Sequence, residues 1–235
     1  MASSDNSGST DDRVDAHVPE HWTLPRIATH IHRMILEPLG FERAGNSCLR
    51  RDELVRSIRF YALRSTVPQV QIRLQVGLRG LPDAVVGYRR DSLWTPLNPE
   101  RGPNHYLRPP SGDPLTPDLV DDVSGPGVEF LLHAPDLSAF VTWAEEIHAG
   151  DRYPNWWRRF RPVLPQGTSA SQAAAFAAAL ATDTNTRSRL ASRVLTEERD
   201  PKERNDFATE LDRIAPVAWR PPSDRSGRRG VKPGA

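Results

Sequence analysis

The sequence predicts an α+β fold: an antiparallel sheet of about four strands packed by an N-terminal and a central helix, with C-terminal helices appended. Three observations carry that prediction. Val70, Ile72, Leu74, Val76 and Leu78 alternate with Gln69, Gln71, Arg73, Gln75 and Gly77, the period of a strand whose sheet is wetted on one face. Ile27, Ile31, Met34, Ile35 and Leu36 recur instead at helical spacing, opposite Arg26, Thr29, Arg33 and Glu37. Between residues 166 and 216 the pattern becomes helical, opening on an alanine-rich segment.

In chain order, residues 1–22 are rich in Ser, Asp, Gly and Asn and predict a disordered tail. The α+β domain spans 23–165. Its first helix follows Pro25 and stops at Pro38 and Gly40. Residues 46–51 predict a short strand, Asp52-Glu53 a turn, and Ile58, Phe60 and Ala62 the apolar side of a second strand, opposite Ser57, Arg59 and Tyr61. The strand through Val70 and Leu78 comes next. Residues 94–127 hold eight prolines, so the segment reads as a long Pro-rich loop without a long helix or central strand. Gly127 to His133, with Val128, Phe130, Leu131 and Leu132, reads as a buried strand. Asp136 caps a central helix with the stripe Phe140, Trp143, Ala144 and Ile147, stopped at Gly150.

Residues 166–216 predict a helical C-terminal extension. Ser169 and Gln172 fit a capping box ahead of the stripe Ala173, Phe176, Ala177 and Leu180. Leu190 and Val194 mark a second helix. Asp200-Pro201 with Glu203 opens a third, carrying Phe207, Leu211 and Ile214. Residues 217–235 predict a flexible basic tail.

Composition excludes several classes. The 235 residues carry a formal net charge of +1, which gives no bulk attraction to nucleic acid or membrane. All but two of the 31 basic residues (Lys202 and Lys232) are arginine, a skew that a GC-rich genome explains. The single cysteine, Cys48, excludes an internal disulfide and a cysteine-rich zinc site. No run approaches the roughly 20 apolar residues of a membrane span. The acidic N-terminus (Asp5, Asp11, Asp12) lacks the pattern of a secretory signal, so the expectation is a soluble, cytoplasmic protein.

The order helix, Glu37-Pro38-Leu39-Gly40-Phe41, a short strand through Asn46-Ser47-Cys48-Leu49-Arg50-Arg51, then two long alternating strands resembles domain-of-unknown-function family 4304. Members of that family open with a helix ending in a Leu-Gly-Phe step, followed by a positively charged turn and a strand that begins near an Asn and an aromatic residue. Here Cys48-Leu49 stand in place of the aromatic. The resemblance covers about residues 24–160. It implies an α+β fold and no established activity, and it carries over no catalytic residue.

Glu145 and His148 form an E-x-x-H pair on one helix face, but a di-iron bundle needs a second such pair, and the sequence has none. His148 near the helix end fits stabilisation of the C-terminal dipole. His17 and His21 are four apart but have Pro19 between them, and His30 and His32 point to different sides of a helix, so neither pair makes the H-E-x-x-H arrangement of a zinc hydrolase. Cys48 stands near Arg50 and Arg51, which would lower its pKa, yet a lone strand cysteine more often fills the core. There is no G-x-S-x-G elbow, and Gly125-Pro126-Gly127 is a turn whose proline removes a phosphate-binding donor. No cofactor or metal is implied.

The strongest local anomaly is Tyr153-Pro154-Asn155-Trp156-Trp157-Arg158-Arg159-Phe160-Arg161. Trp156, Trp157, Arg158, Arg159 and Arg161 combine stacking surface with phosphate-binding groups, and are also residue types that dominate protein interfaces. The bland alternative packs the aromatics on the sheet and leaves the arginines in water. Three function classes follow. The favoured one is a non-enzymatic protein-binding molecule, of the kind that neutralises a toxin or accompanies a defence system. The second is single-stranded nucleic-acid binding through the Trp-Arg segment and basic tail. The third is an enzyme with its site under the Pro-rich loop, using Asp113, Asp118, Asp121 or Asp122.

Overall fold

A computed structural model describes residues 20–79, 92–100, 103, 105–149 and 168–214. The fold is α+β, built on an antiparallel meander. Helix α1 (Leu24–Ile31) leads through a π turn (His32–Leu36) and a 3₁₀ turn (Glu37–Leu39) into strands β1 (Glu42–Ala44), β2 (Ser47–Arg51), β3 (Leu54–Leu63), β4 (Gln69–Leu78) and β5 (Ser92–Leu97). These five lie side by side in sequence order, and β6 (Tyr106–Leu107) continues the β5 edge by pairing with Gln69 and Val70 of β4.

The helical spacing of the first segment holds only as far as Ile31. Ile27, Ala28 and Ile31 are buried, but Met34 is 65% exposed. The Glu37 N–H bonds the His32 carbonyl five residues back, so the wider turn brings Leu36 inward and rotates Met34 to solvent. Gly40, at φ 77°, then supplies the left-handed residue that ends the helical run.

Two expectations along the middle of the chain are overturned. The segment 94–127 is not a structureless loop: it holds most of β5, all of β6, helix α2 (Pro117–Asp122) and a π turn (Val123–Gly127). Its prolines sit where proline is tolerated. Pro96 lies in an edge strand, Pro117 at the first position of α2, and Pro126 inside the wide π turn. The expected strand at 127–133 is instead helix α3 (Val128–Leu132), continuous with α2 through that turn. A short apolar run has no period that separates strand from helix. Gly127 leaves little room there: a Cβ would stand 3.1 Å from the Asp122 carbonyl oxygen and 3.4 Å from Leu97, so a larger residue makes a neighbour give by a few tenths of an ångström.

Helix α4 (Leu137–Ala149) is capped by Asp136, which accepts the Ala139 N–H at 2.8 Å. Helices α5 (Thr168–Leu180), α6 (Thr184–Glu197) and α7 (Pro201–Ile214) complete the described chain. The expected one-sided stripe on α5 is replaced by burial of every residue from Ala170 to Ala179. Alanine lets neighbours approach closely, and α5 packs against α4, α6, α7, β4 and β5. A helix apolar all round is a buried helix, and the absence of any charge between Thr168 and Thr182 was that signal.

One face of the sheet carries the main core. Cys48, Leu54, Ile58, Phe60, Val70, Ile72, Leu74, Val76, Leu93 and Leu97 are all buried on it. The Cys48 thiol reaches the Ala28 carbonyl of α1, and Leu97 meets the turn before α3. No helix among the described residues is long and apolar enough to cross a membrane.

Candidate interaction surface on the open sheet face

Pairing register assigns each strand residue to a face. Arg59, Tyr61, Gln71, Arg73, Trp94 and Pro96 share the face opposite the core. Ser57, Gly77 and Ser92 of that face are buried, so its open part lies towards the β3–β4 turn. There Arg59 and Arg73 are exposed, and Tyr61, Gln69, Gln71, Trp94 and Pro96 are half-buried.

Arg59 and Arg73 stand directly opposite one another across β3 and β4. Like charges in that position repel. Neither has a carboxylate partner among the described residues. Arg73 is held by rings instead: its guanidinium carbon lies 4.3 Å from the Trp94 ring centroid and 5.5 Å from that of Tyr61. The negative ring faces steady the cation without cancelling its charge. From Leu54 to Arg79 the hairpin contains five arginines and no aspartate or glutamate. That acid-free run was legible in the sequence. What it did not show was that register would bring Tyr61 and Trp94 to one guanidinium.

Arg56, on the core face of β3, is the opposite case. It is 1% exposed and bonds the Asp52 carboxylate, the Ala134 carbonyl at 2.7 Å and the Pro135 carbonyl at 3.1 Å. Asp52 also receives the Leu54 N–H at 3.0 Å and the Arg50 Nε at 3.1 Å. Burial pushes the Asp52 carboxyl up, but the hydrogen bonds from Arg56 and Leu54 and the charges of Arg56 and Arg50 outweigh it and hold it below its ordinary value. This network ties the β2–β3 turn to the α3–α4 link. A further buried guanidinium, Arg187 of α6, is 3% exposed and has no partner at Nε or Nη2 among the described residues.

The motifs singled out in the sequence fall apart as a catalytic set. Glu145 holds Arg189 with both oxygens, at 2.6 and 2.9 Å, and meets Arg193 at 3.5 Å. The Arg189 hydrogen bond, against a smaller effect of burial, keeps the Glu145 carboxyl below its ordinary value, helped by the charges of Arg189, Arg193 and His148. His148 meets Glu197 at 3.4 Å, so the E-x-x-H pair joins α4 to α6. His32 contacts the Phe41 carbonyl at 2.8 Å, and His30 packs edge-on to Trp22. His21 bridges to Pro110, while His17 lies outside the described residues. No group of three His, Cys, Asp or Glu side chains able to hold a metal occurs among the described residues.

Cys48 is fully buried, and burial pushes its thiol up to about 11 against the opposing charge of Arg43. Its arginine neighbours therefore do not activate it. Asp113, Asp118 and Asp121 are exposed, whereas Asp122 is buried and accepts the Tyr106 hydroxyl at 2.9 Å. Trp156, Trp157, Arg158, Arg159 and Arg161 lie outside the described residues, as do residues 1–19 of the expected tail 1–22 and all of the expected tail 217–235; Trp22, at the end of the first, is instead buried at 6% exposure.

Comparison with known proteins adds no relative: no family model, no curated protein and no solved structure matches the chain.

Proposed function

We propose that this chain is a non-enzymatic binding protein whose contact surface is the open part of the sheet, and that its partner presents negative charge there. One observation carries the reading. Arg73 is held by Trp94 and Tyr61, and neither it nor the neighbouring Arg59 has a carboxylate partner among the described residues. Such a surface keeps its positive charge available and presents Arg, Tyr and Trp, the side chains that concentrate interface energy. Arg189 and Arg193, by contrast, already meet the Glu145 carboxylate.

Affinity capture from native lysate tests it, with wild type and Arg73→Glu run in parallel. Wild type retains a stoichiometric partner that Arg73→Glu loses, and retention falls as salt rises and the Debye length shrinks from about 10 Å at 0.1 M towards 3 Å at 1 M. A partner held equally by both proteins, or none, overturns the reading.

A further inference from the structure

We infer that the ligand of this face is a single-stranded nucleic acid, with a phosphate at the Arg59–Arg73 pair and a base stacked on the Arg73, Trp94 and Tyr61 assembly; this rests on the sheet-face reading above. Charge comes first. The hairpin that forms the face contributes Arg59, Arg64 and Arg73 to solvent and no carboxylate. A phosphodiester strand supplies closely spaced negative charges to match such a row.

Stacking comes second. A carboxylate surface on a protein partner needs only the N–H edge of a guanidinium. Here the guanidinium also lies over an aromatic ring, and both rings are half-exposed. Planar groups layered in this way continue naturally into a base, whose π face stacks on aromatics and on arginine alike. The Gln71 amide, half-exposed on the same row as Arg73, is placed to meet a base edge. Shape comes third. A pleated sheet face offers a stacking platform to unpaired bases, whereas a duplex is read by an element inserted into its groove.

Fluorescence anisotropy of fluorescein-labelled (dT)12 and r(U)12 with the full chain tests the inference, with a 12-base-pair duplex and polyglutamate as the other arms. Wild type binds the single strands more tightly than either comparison ligand. Arg73→Glu weakens this binding at least tenfold. Trp94→Ala weakens it about tenfold, the range of one lost base stack. Arg73→Lys keeps the charge but loses the planar group, and falls between wild type and Arg73→Glu with an unchanged circular dichroism spectrum. The double substitution Trp156→Ala/Trp157→Ala leaves binding in place.

Absence of single-strand binding, equal binding of duplex, or binding insensitive to Arg73→Glu overturns the inference. Loss in the Trp156→Ala/Trp157→Ala protein alone does the same. If polyglutamate binds in an Arg73-dependent way and the oligonucleotides do not, the nucleic-acid inference fails while the sheet-face reading stands.

Discussion

Arg56 and Arg59 lie three residues apart on β3, and the odd spacing sends them to opposite faces of one sheet. On the core face, Arg56 is sealed from water and given a carboxylate and two carbonyls. On the open face, Arg59 is exposed, and its cross-strand neighbour Arg73 is given only aromatic rings. A buried charge must be compensated or the domain loses several kcal/mol. A charge in water carries no such requirement, so its partner can come from outside the chain. The two arginines therefore differ in setting: one has its charge met inside the fold, and the other keeps its charge in water.

The largest effect is expected at the closed arginine. Arg56→Met leaves the Asp52 carboxylate and the Ala134 and Pro135 carbonyls without their shared donor, at a cost of about 3 kcal/mol. Urea unfolding reads this as a lower midpoint with the slope unchanged. A loss below about 1 kcal/mol breaks the contrast, because Arg56 would then be no more structural than a surface residue.

A smaller, pH-dependent effect comes from its partner. Asp52 has a depressed folded-state pKa, so its contribution is complete above the ordinary carboxylate range and drains away as pH falls through the folded value. Asp52→Asn removes the titration. The stability gap between wild type and Asp52→Asn is therefore widest near neutrality and narrows below about pH 4. Chemical denaturation at a series of pH values measures it, and a gap constant with pH refutes the account of this carboxylate.

The smallest stability effect belongs to the open arginine. Arg73→Glu loses its ring contacts but replaces a like-charged cross-strand pair with an opposite-charged one, for a net change within about 0.5 kcal/mol. Thermal unfolding checks this. A shift of several degrees would mean that Arg73 holds the sheet together and is not held in reserve for a partner.

The alternating rows of β3 and β4 were readable because strand period is local. Arg56 was also readable in part, since it falls in phase with Ile58 and Phe60, a charge in an apolar row that requires a buried partner. The helix at Val128–Leu132 was not, because a five-residue apolar run has no resolvable period. Nor was β1, whose three residues are all exposed. Sheet order hid the candidate site in the same way. Trp94 is 21 residues from Arg73 in the chain but stands opposite Gln75, one pleat from it.

By itself, then, the sequence determined the fold class, the face each β4 side chain takes and the acid-free charge of the β3–β4 hairpin, all properties of short segments. Tertiary structure alone decided which arginine meets Asp52 and the α3–α4 link, which meets Trp94 and Tyr61, and which elements surround the alanine helix. Those outcomes depend on which distant segments share space, and a charge is neutralised or left available by what stands within a few ångströms of it.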